Sequence, residues 1–500
     1  MPAQPPLPVL IVGAGPTGLV LALWLTKFGI PVRIIDKTSG PGTTSRAFAV
    51  QAHTLELYEQ QPGLAEEAVA LGHPVQTLRL SDGHDVITAP IGRFAADETR
   101  YPYILVFPQD EHERLLIRHL EARGVYVERE TEFVSFTEGD GKTRAVVRTG
   151  GVEGAADYSY ICGCDGARSL LRHQLNVGFE GGTYQQLFYV ADVEASGHAA
   201  GPEPFFALKD KDFCLVFPMR HATATRLVGV VPAKVQKPVE EIIYADVAEH
   251  VSEITNLTVS KTNWFSVYHV HHRIASAFKT GRIFLLGDAA HIHSPAGGQG
   301  MNTGIGDAVN LAWKLKDILQ GNAKQELLET YATERQGFAR KLIRTTDAGF
   351  SAMTSGGLLG FLARKIIMPH IVPRLLRIRF FGSFFFRTLS QIGLSYPDSA
   401  LTRGDTKAGA RLPWVKPLDN HAPLKEAVWQ LHVYGTGAEA LRQYAASQNL
   451  PLHVFPYSVE ARRAGLSENA IYLIRPDGYI GFSSRAGDVA ALTAYLSKYR

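Results

Sequence analysis

Five hundred residues, 45% hydrophobic and 20% charged, have the composition of a soluble globular protein with chain enough for about three structural units. A net charge of +3 argues against a dedicated nucleic-acid binder, and a total of three cysteines excludes a disulfide scaffold. Cys162 and Cys164 lack the His or Cys partners of a zinc site and are read, like Cys214, as sheet residues. The first residues show no secretory signal, and no stretch reaches the ~20 continuous apolar residues of a spanning helix, so a cytoplasmic protein is expected.

Val9-Leu10-Ile11-Val12 is a short apolar run ending in Gly13-Ala14-Gly15-Pro16-Thr17-Gly18. Leu19, Val20, Leu23 and Phe28 follow at helical spacing up to the stop signal Gly29-Ile30-Pro31. A second strand, Val32-Arg33-Ile34-Ile35, ends at Asp36 and completes a β-α-β unit, which predicts a parallel sheet covered by helices. Residues 75–150 read as short strands around a helix at 110–123, and 158–164 as a strand leading into Asp165-Gly166. Short β runs at 188–190, 213–217, 227–231 and 264–270 predict an inserted sheet domain. A buried strand at 282–286 ends in Gly287-Asp288, and a helix beginning near Gly306 carries Ala308, Leu311, Ala312, Leu315 and Ile318 on its core face.

Between Asp347 and Asp398 no acid occurs, while Arg364, Lys365, Arg374, Arg377, Arg379 and Arg387 interrupt an apolar stretch. Such a pattern suits a membrane-surface helix, but helices wedged between domains are the simpler reading. Near residue 400 the composition shifts to a separate α/β module. The expected fold is α/β: a Rossmann-type nucleotide-binding domain over 1–180, with strands of the sheet side near 75–105. A β-sheet domain follows over 181–275, the nucleotide-binding domain returns over 276–345, linking helices cover 346–398, and the module occupies 399–500.

The first unit carries the full Gly-x-Gly-x-x-Gly spacing between a strand and a helix. Gly13 permits the tight turn, Gly15 lets backbone approach a pyrophosphate, and Gly18 allows close helix–strand packing. Pro16 suits the first helical turn, and with Thr17 it opens a helix whose free amides favour phosphate. Asp36, eighteen residues past Gly18, stands beside Lys37 where a carboxylate accepts ribose hydroxyls. This motif does not choose between FAD and NAD. A second constellation runs from Gly287-Asp288-Ala289-Ala290-His291 through Ser294-Pro295-Ala296-Gly297-Gly298-Gln299-Gly300-Met301-Asn302-Thr303-Gly304. It sets an acid at a strand's carboxyl end and leaves little side-chain bulk, so a flat ring could approach backbone.

Together these motifs resemble the FAD-dependent aromatic hydroxylases, the class A flavoprotein monooxygenases of the para-hydroxybenzoate hydroxylase fold. The resemblance implies that Asp288 serves the flavin's ribityl chain, with Pro295, Gly298, Gly300, Met301 and Asn302 lining the ring. It implies that Cys164-Asp165-Gly166-Ala167-Arg168-Ser169 serves both FAD and a passing NAD(P)H through Asp165, that Arg46 in Ser45-Arg46-Ala47 reaches the diphosphate, and that Gln109 contacts the sugar chain. Leu389-Ser390-Gln391 to Tyr396 and Arg475-Pro476-Asp477-Gly478-Tyr479 resemble the phenol hydroxylase branch, whose C-terminal domain is thioredoxin-like. With no cysteine after Cys214, that module lacks the pair needed for disulfide exchange. Two positions depart from the family: His53 stands where relatives usually have Arg, and Gly337 where the Tyr-x-x-Glu-Arg helix usually continues to Pro.

The function implied is a monooxygenase with non-covalent FAD and NADPH or NADH as reductant, in which a C4a-hydroperoxyflavin hydroxylates a phenolic or polycyclic aromatic ring. Epoxidation or Baeyer–Villiger oxygenation of a polyketide-type product, and non-catalytic FAD binding, are the alternatives. No Trp-x-Trp supports halogenation and no Gly-x-Ser-x-Gly supports an acyl nucleophile. His269, His271, His272, His291 and His293 lack carboxylates at ligand spacing, so no metal is expected. The family match places Phe217 and Met219 on the substrate-facing strand opposite Pro295, an uncharged wall suited to a neutral or bulky phenol. No general base is named. The partners expected are the aromatic substrate, O2 and NAD(P)H, without nucleic acid or a transmembrane segment, and with a homodimer left open.

Overall fold

The computed structural model describes residues 6–42, 47–81, 86–209, 212–219, 224–294, 297–354, 367 and 371–499. Its organising layer is a six-stranded sheet in the order Lys279–Thr280, Ile283–Leu285, Tyr160–Gly163, Val9–Val12, Val32–Ile35, Val127–Glu128, parallel except at the first pair. Val9–Val12 lies at its centre and is buried along its whole length, which is why it reads as an unbroken apolar run rather than an alternating one. The helix Pro16–Lys27 is buried from Gly18 through Leu25 because it is covered on both sides, chiefly by the helices Gly300–Leu319 and Gln109–Glu121.

An eight-stranded sheet forms the second layer, in the order His291–Ile292, Leu257–Ala275, Phe179–Gly197, Ala224–Val230, Asp212–Pro218, Phe205–Lys209, Leu78–Ser81, Val86–Ala89. Two of the short β runs expected from sequence belong to 19-residue strands, Phe179–Gly197 and Leu257–Ala275. Register shifts between Thr183 and Leu187, at Asp192/Val193 and at Glu194/Ala195 break the two-residue alternation, so the pattern looked fragmentary. One face of this sheet, with Tyr189, Ala191, Cys214, Val216 and Leu227, packs under the helix Tyr244–Thr255. The other face presents Phe188, Phe213, Leu215, Val230 and Tyr268.

The C-terminal unit holds a five-stranded mixed sheet, ordered Arg403–Gly404, Ile480–Ser484, Ile471–Ile474, Gln430–Tyr434, Leu452–Phe455. Its core is continuous with that of the first unit: Trp429 meets Trp313 edge-on at 5.4 Å and donates from Nε1 to Asp317 at 3.0 Å. Beside them lies a fully buried ion cluster. Glu334 accepts from Lys314 Nζ (2.8 Å) and from Arg475 (2.7 and 3.0 Å), while Arg475 also donates to Asp477 (2.6 and 3.0 Å). Burial lowers Lys314 to about 8 although Glu334 opposes the shift. The linking helices Val372–Leu376 and Arg379–Leu389 bury Gly382 and Phe386 inward and leave Phe380 and Phe384 exposed. Arg364 and Lys365 lie outside the described residues. No helix among the described residues is long and apolar enough to cross a membrane.

A second contact joins the helix Ala52–Tyr58 to the C-terminal unit. Arg411 Nη1 lies 3.1 Å from both oxygens of the largely buried Glu56, and nearby His421 donates from Nε2 to Leu412 O at 2.8 Å. Burial alone would raise Glu56, but Arg411, the His53 bond and His421 together outweigh it and hold the carboxyl down to about 2, and burial lowers His421 to about 4. Both folded values lie below the ordinary ones of 4.5 and 6.5, so the unfolded chain takes up more protons as pH falls. Stability from this contact is therefore full above pH 6.5, declines first through His421 towards pH 4, and then through Glu56 from 4.5 towards 2. Thermal melts across pH are expected to show this fall, with His421→Asn flattening the upper limb and Glu56→Gln the lower one.

Candidate cofactor and substrate site

The first glycine turn is closed by protein on two sides and open on the third. A Cβ on Gly13, whose φ is +106°, would sit 2.3 Å from Cys164 O, and one on Gly18 would sit 2.0 Å from Gly13 O. A Cβ on Gly15 would meet nothing within 4 Å. Gly15 also caps the helix Pro16–Lys27 without a side-chain acceptor, which leaves that helix end to an anion. Across the turn, Ala14 N donates to Asp36 Oδ2 at 2.7 Å, and Asp36 Oδ1 accepts from the backbone (2.8 Å) and hydroxyl (2.7 Å) of Thr38. Arg129 Nη1 stands 3.9 Å from Asp36 and its buried Nη2 has no partner; Lys37 is exposed.

The second motif meets the first at Thr17. A Cβ on Gly287 (φ +57°) would lie 2.6 Å from Thr17 Oγ1, and one on Gly304 would lie 2.3 Å from the same atom. Only glycines at both positions let the Gly287–Ala289 turn and the helix Gly300–Leu319 close on the first helix. That second helix starts at Gly300 rather than near Gly306, so Met301, Asn302 and Thr303 form its first turn. Among the described residues of this region, Asp288 is exposed beside the otherwise buried Gly287 and Ala289. Asp165 lies under Gly13, and its Oδ2 accepts from Leu171 N at 3.3 Å. Its Oδ1 is buried without a partner, and burial raises the carboxyl above the ordinary aspartate range.

Asn302 is buried, and protein partners occupy its side chain. Its Oδ1 accepts from Gln51 N and Thr54 Oγ1, both at 2.8 Å, and its Nδ2 donates to Ala49 O (2.8 Å) and Gly298 O (2.9 Å). Asn302 therefore shapes the loop, and its side chain is not a free group for a cofactor. Gln51 Nε2 donates to Gly297 O at 3.0 Å, while its buried Oε1 lacks a partner. Gln109 opens the helix Gln109–Glu121, where its Nε2 donates to Glu113 at 2.8 Å and its backbone N to Ala47 O at 3.0 Å. Arg46, Ser45 and Pro295 fall outside the described residues.

On the open face of the large sheet, the ring of Phe217 lies 4.4 Å from that of Phe48, next to Ala49, whose Cβ a side chain on Gly298 would meet at 2.8 Å. Met219 N donates to Ala224 O, at the start of the adjoining strand. The expectation of an uncharged wall is corrected here. Arg226, opposite both Phe217 and Asp192 in register, is 2% exposed and donates to Asp192 from Nε and Nη2, each at 2.7 Å. Its Nη1 is buried without a partner. Sequence reasoning missed this pair, although one charge at matching parity on each of two apolar strands was the available signal. His271 and His272 lie away from this wall, against Thr183 (2.7 Å) and Tyr184, and His291 Nε2 bonds Asp307 at 2.8 Å.

An FAD binding domain model matches residues 6–346. The chain belongs to this FAD-binding family. The flavoprotein is 31% identical to the 6-methylpretetramide 4-monooxygenase of Streptomyces rimosus over 98% of this chain and 92% of that protein. It is 32% identical to the pentachlorophenol 4-monooxygenase of Sphingobium chlorophenolicum, over 68% of this chain and 64% of the relative. Among solved structures it resembles the anhydrotetracycline hydroxylase OxyS of Streptomyces rimosus, with a TM-score of 0.78 and 25% identity over 99% of both chains. It also resembles CabE, an aromatic hydroxylase from angucycline biosynthesis, with a TM-score of 0.79 and 25% identity over 99% of this chain and 100% of that one. The protein is an FAD-dependent monooxygenase.

The residues fit the cofactor: an open space over Gly15, an uncapped helix end and an orphaned Asp165 oxygen converge on one cradle. Gly15→Ala should thus fold normally yet bind FAD poorly, whereas Gly18→Ala should fail to fold. Circular dichroism of the apoprotein, with flavin content measured by absorbance, checks both outcomes.

Proposed function

We propose that the protein is an NAD(P)H-consuming hydroxylase of a phenolic or polycyclic aromatic substrate. The observation that carries this reading is the Phe48–Phe217 contact, which sets an aromatic wall of the large sheet one residue from the Gly298 loop. Bound FAD, once reduced, supplies the oxygen-activating chemistry. The phosphates belong on the Gly13–Gly18 turn, the ribose on Asp36, and the ribityl side on Asp288, with the backbone of Gly298, Gly300, Met301 and Asn302 against the ring. Arg46, Gln109 and Pro295 complete the set expected from the family.

The chain's own residues bind, orient and shield the substrate. Apolar groups such as Leu215 and Phe217 bury rings and exclude water, and the unpartnered Nη1–H of Arg226 is a donor for a phenolic oxygen. Because Asp192 already neutralises Arg226, an added carboxylate would compete for a partnered cation, which supports a neutral substrate. The chain has one full Gly-x-Gly-x-x-Gly, so NAD(P)H binds transiently near Arg46 and Asp165 rather than on its own Rossmann unit. We read residues 399–500 as a thioredoxin-like module without redox chemistry, on the strength of its mixed sheet and lack of cysteine.

A panel of neutral phenols should stimulate NADPH oxidation with equimolar hydroxylated product, and stopped-flow flavin reduction should be faster with substrate than without. Neutral phenols should turn over better than their carboxylated analogues, and Met219→Arg should shift the preference towards the carboxylate. A native preference for the carboxylate that Met219→Arg leaves unaltered would refute the neutral-substrate reading.

A further inference from the structure

The C-terminal unit reaches the flavin loop along two separate lines of hydrogen bonds, one to each end of the loop. The first line begins at Tyr396, whose backbone N donates to Gly409 O (2.8 Å) and whose ring packs on Tyr479 at 4.7 Å. The Tyr396 hydroxyl accepts from Arg335 Nη1 at 2.6 Å. Arg335 also donates from Nε to Asp307 Oδ1 (2.5 Å) and from Nη2 to Thr303 O (3.0 Å). Asp307 Oδ2 accepts from Gly287 N at 3.0 Å and bonds His291 Nε2 at 2.8 Å. Arg335 and Asp307 are 2% and 0% exposed, so neither has water as an alternative partner. Burial alone would raise Asp307, yet Arg335 and His291 keep it ionised below the ordinary aspartate value.

The second line begins at Tyr479, whose hydroxyl lies 3.1 Å from His53 Nε2, with the two rings edge-on at 5.8 Å. His53 belongs to the helix Ala52–Tyr58, held to the C-terminal unit by the Arg411–Glu56 pair. Gln51, the cap of that helix, donates from its backbone to Asn302 and from its side chain to Gly297. One line thus ends at Gly287, where the loop leaves the central sheet, and the other at Gly297 and Asn302, where it enters the second helix.

We propose that the C-terminal unit is part of the machinery that retains FAD, with Arg335 as the positioning residue at the junction of the first line. The proposal rests on the cradle assignment made above. A guanidinium fixed at three points holds the Gly287 turn and the first turn of the second helix at one separation. The Tyr396 hydroxyl, from the linking segment held against Gly409 and Tyr479 of the C-terminal unit, supplies the third point. Removing it leaves a buried N–H of Arg335 unsatisfied and free to re-aim.

The test measures FAD release from the holoenzyme by recovery of flavin fluorescence, together with the flavin's visible circular dichroism. Tyr396→Phe and Tyr479→Phe should each release FAD roughly fivefold faster and alter the dichroism, in keeping with loss of one buried hydrogen bond. Arg335→Lys, which keeps the charge beside Asp307, should retain FAD better than Arg335→Met. Tyr495→Phe removes a hydroxyl bond of the same class within the C-terminal unit (to Leu401 O, 2.8 Å) and should release FAD at the native rate. Native release from Tyr396→Phe and Tyr479→Phe overturns the proposal, as does equal acceleration by Tyr495→Phe, which would signify general loosening. Asp288→Ala separates the two levels of inference. If it too keeps FAD at the native rate, the cradle assignment fails and the proposal with it; if it loses FAD while the tyrosine variants do not, the proposal alone fails.

Discussion

Close approach of two helix N-termini at Thr17 is the constraint on which the cofactor site depends. Gly287 and Gly304 both face the Thr17 hydroxyl at separations that no Cβ could occupy. The first helix leaves the sheet after Val9–Val12, and the second follows the neighbouring region of the same sheet nearly three hundred residues later. Their packing brings two sets of free amides to one edge of the parallel sheet, where the strands' carboxyl ends also place Asp36, Asp165 and Asp288. Each element alone is an ordinary anion site. Their shared edge sets the two helix ends side by side.

The buried charges between the first and C-terminal units follow a different logic. Taking Lys314, Glu334, Arg475 and Asp477 out of water costs more than apolar packing of the same volume would, unless every charge finds several partners. Glu334 takes bonds from Lys314, Asn310, Ser399 and Arg475, and Asp477 takes bonds from Arg475 and Trp313. Such a cluster tolerates one relative placement of the two units, because a shift would strand a charge. His53 belongs to the same design. The cation beside Glu56 comes from Arg411 of the C-terminal unit, and the His53 imidazole meets the Tyr479 hydroxyl.

Much of the cofactor half was legible in the residues. The β-α-β pattern, the Gly-x-Gly-x-x-Gly turn, Asp36 and the Gly287-Asp288 strand end depend on local backbone geometry, which sequence spacing reports directly. The start of the second helix was placed late, since Gly300, Gly304 and Gly306 have poor helix propensity and only packing against the first helix overrides it. Asn302 was expected at the cofactor, yet its amide joins the Ala49–Thr54 segment to the loop. Spacing shows that a polar residue stands in a motif, and it does not show which partners its side chain finds.

By itself the sequence determined the fold class, the order of the nucleotide-binding elements and the absence of redox cysteines in the C-terminal unit, because periodicity, glycine spacing and residue counts are local properties. Tertiary structure alone decided that Arg226 lies opposite Phe217 with Asp192 beside it, and that Tyr396 and Tyr479 reach the Gly287–Asn302 segment through Arg335 and His53. Those pairs lie tens to hundreds of residues apart in the chain. Their meeting depends on strand register and on how two units dock, and no short-range pattern encodes either.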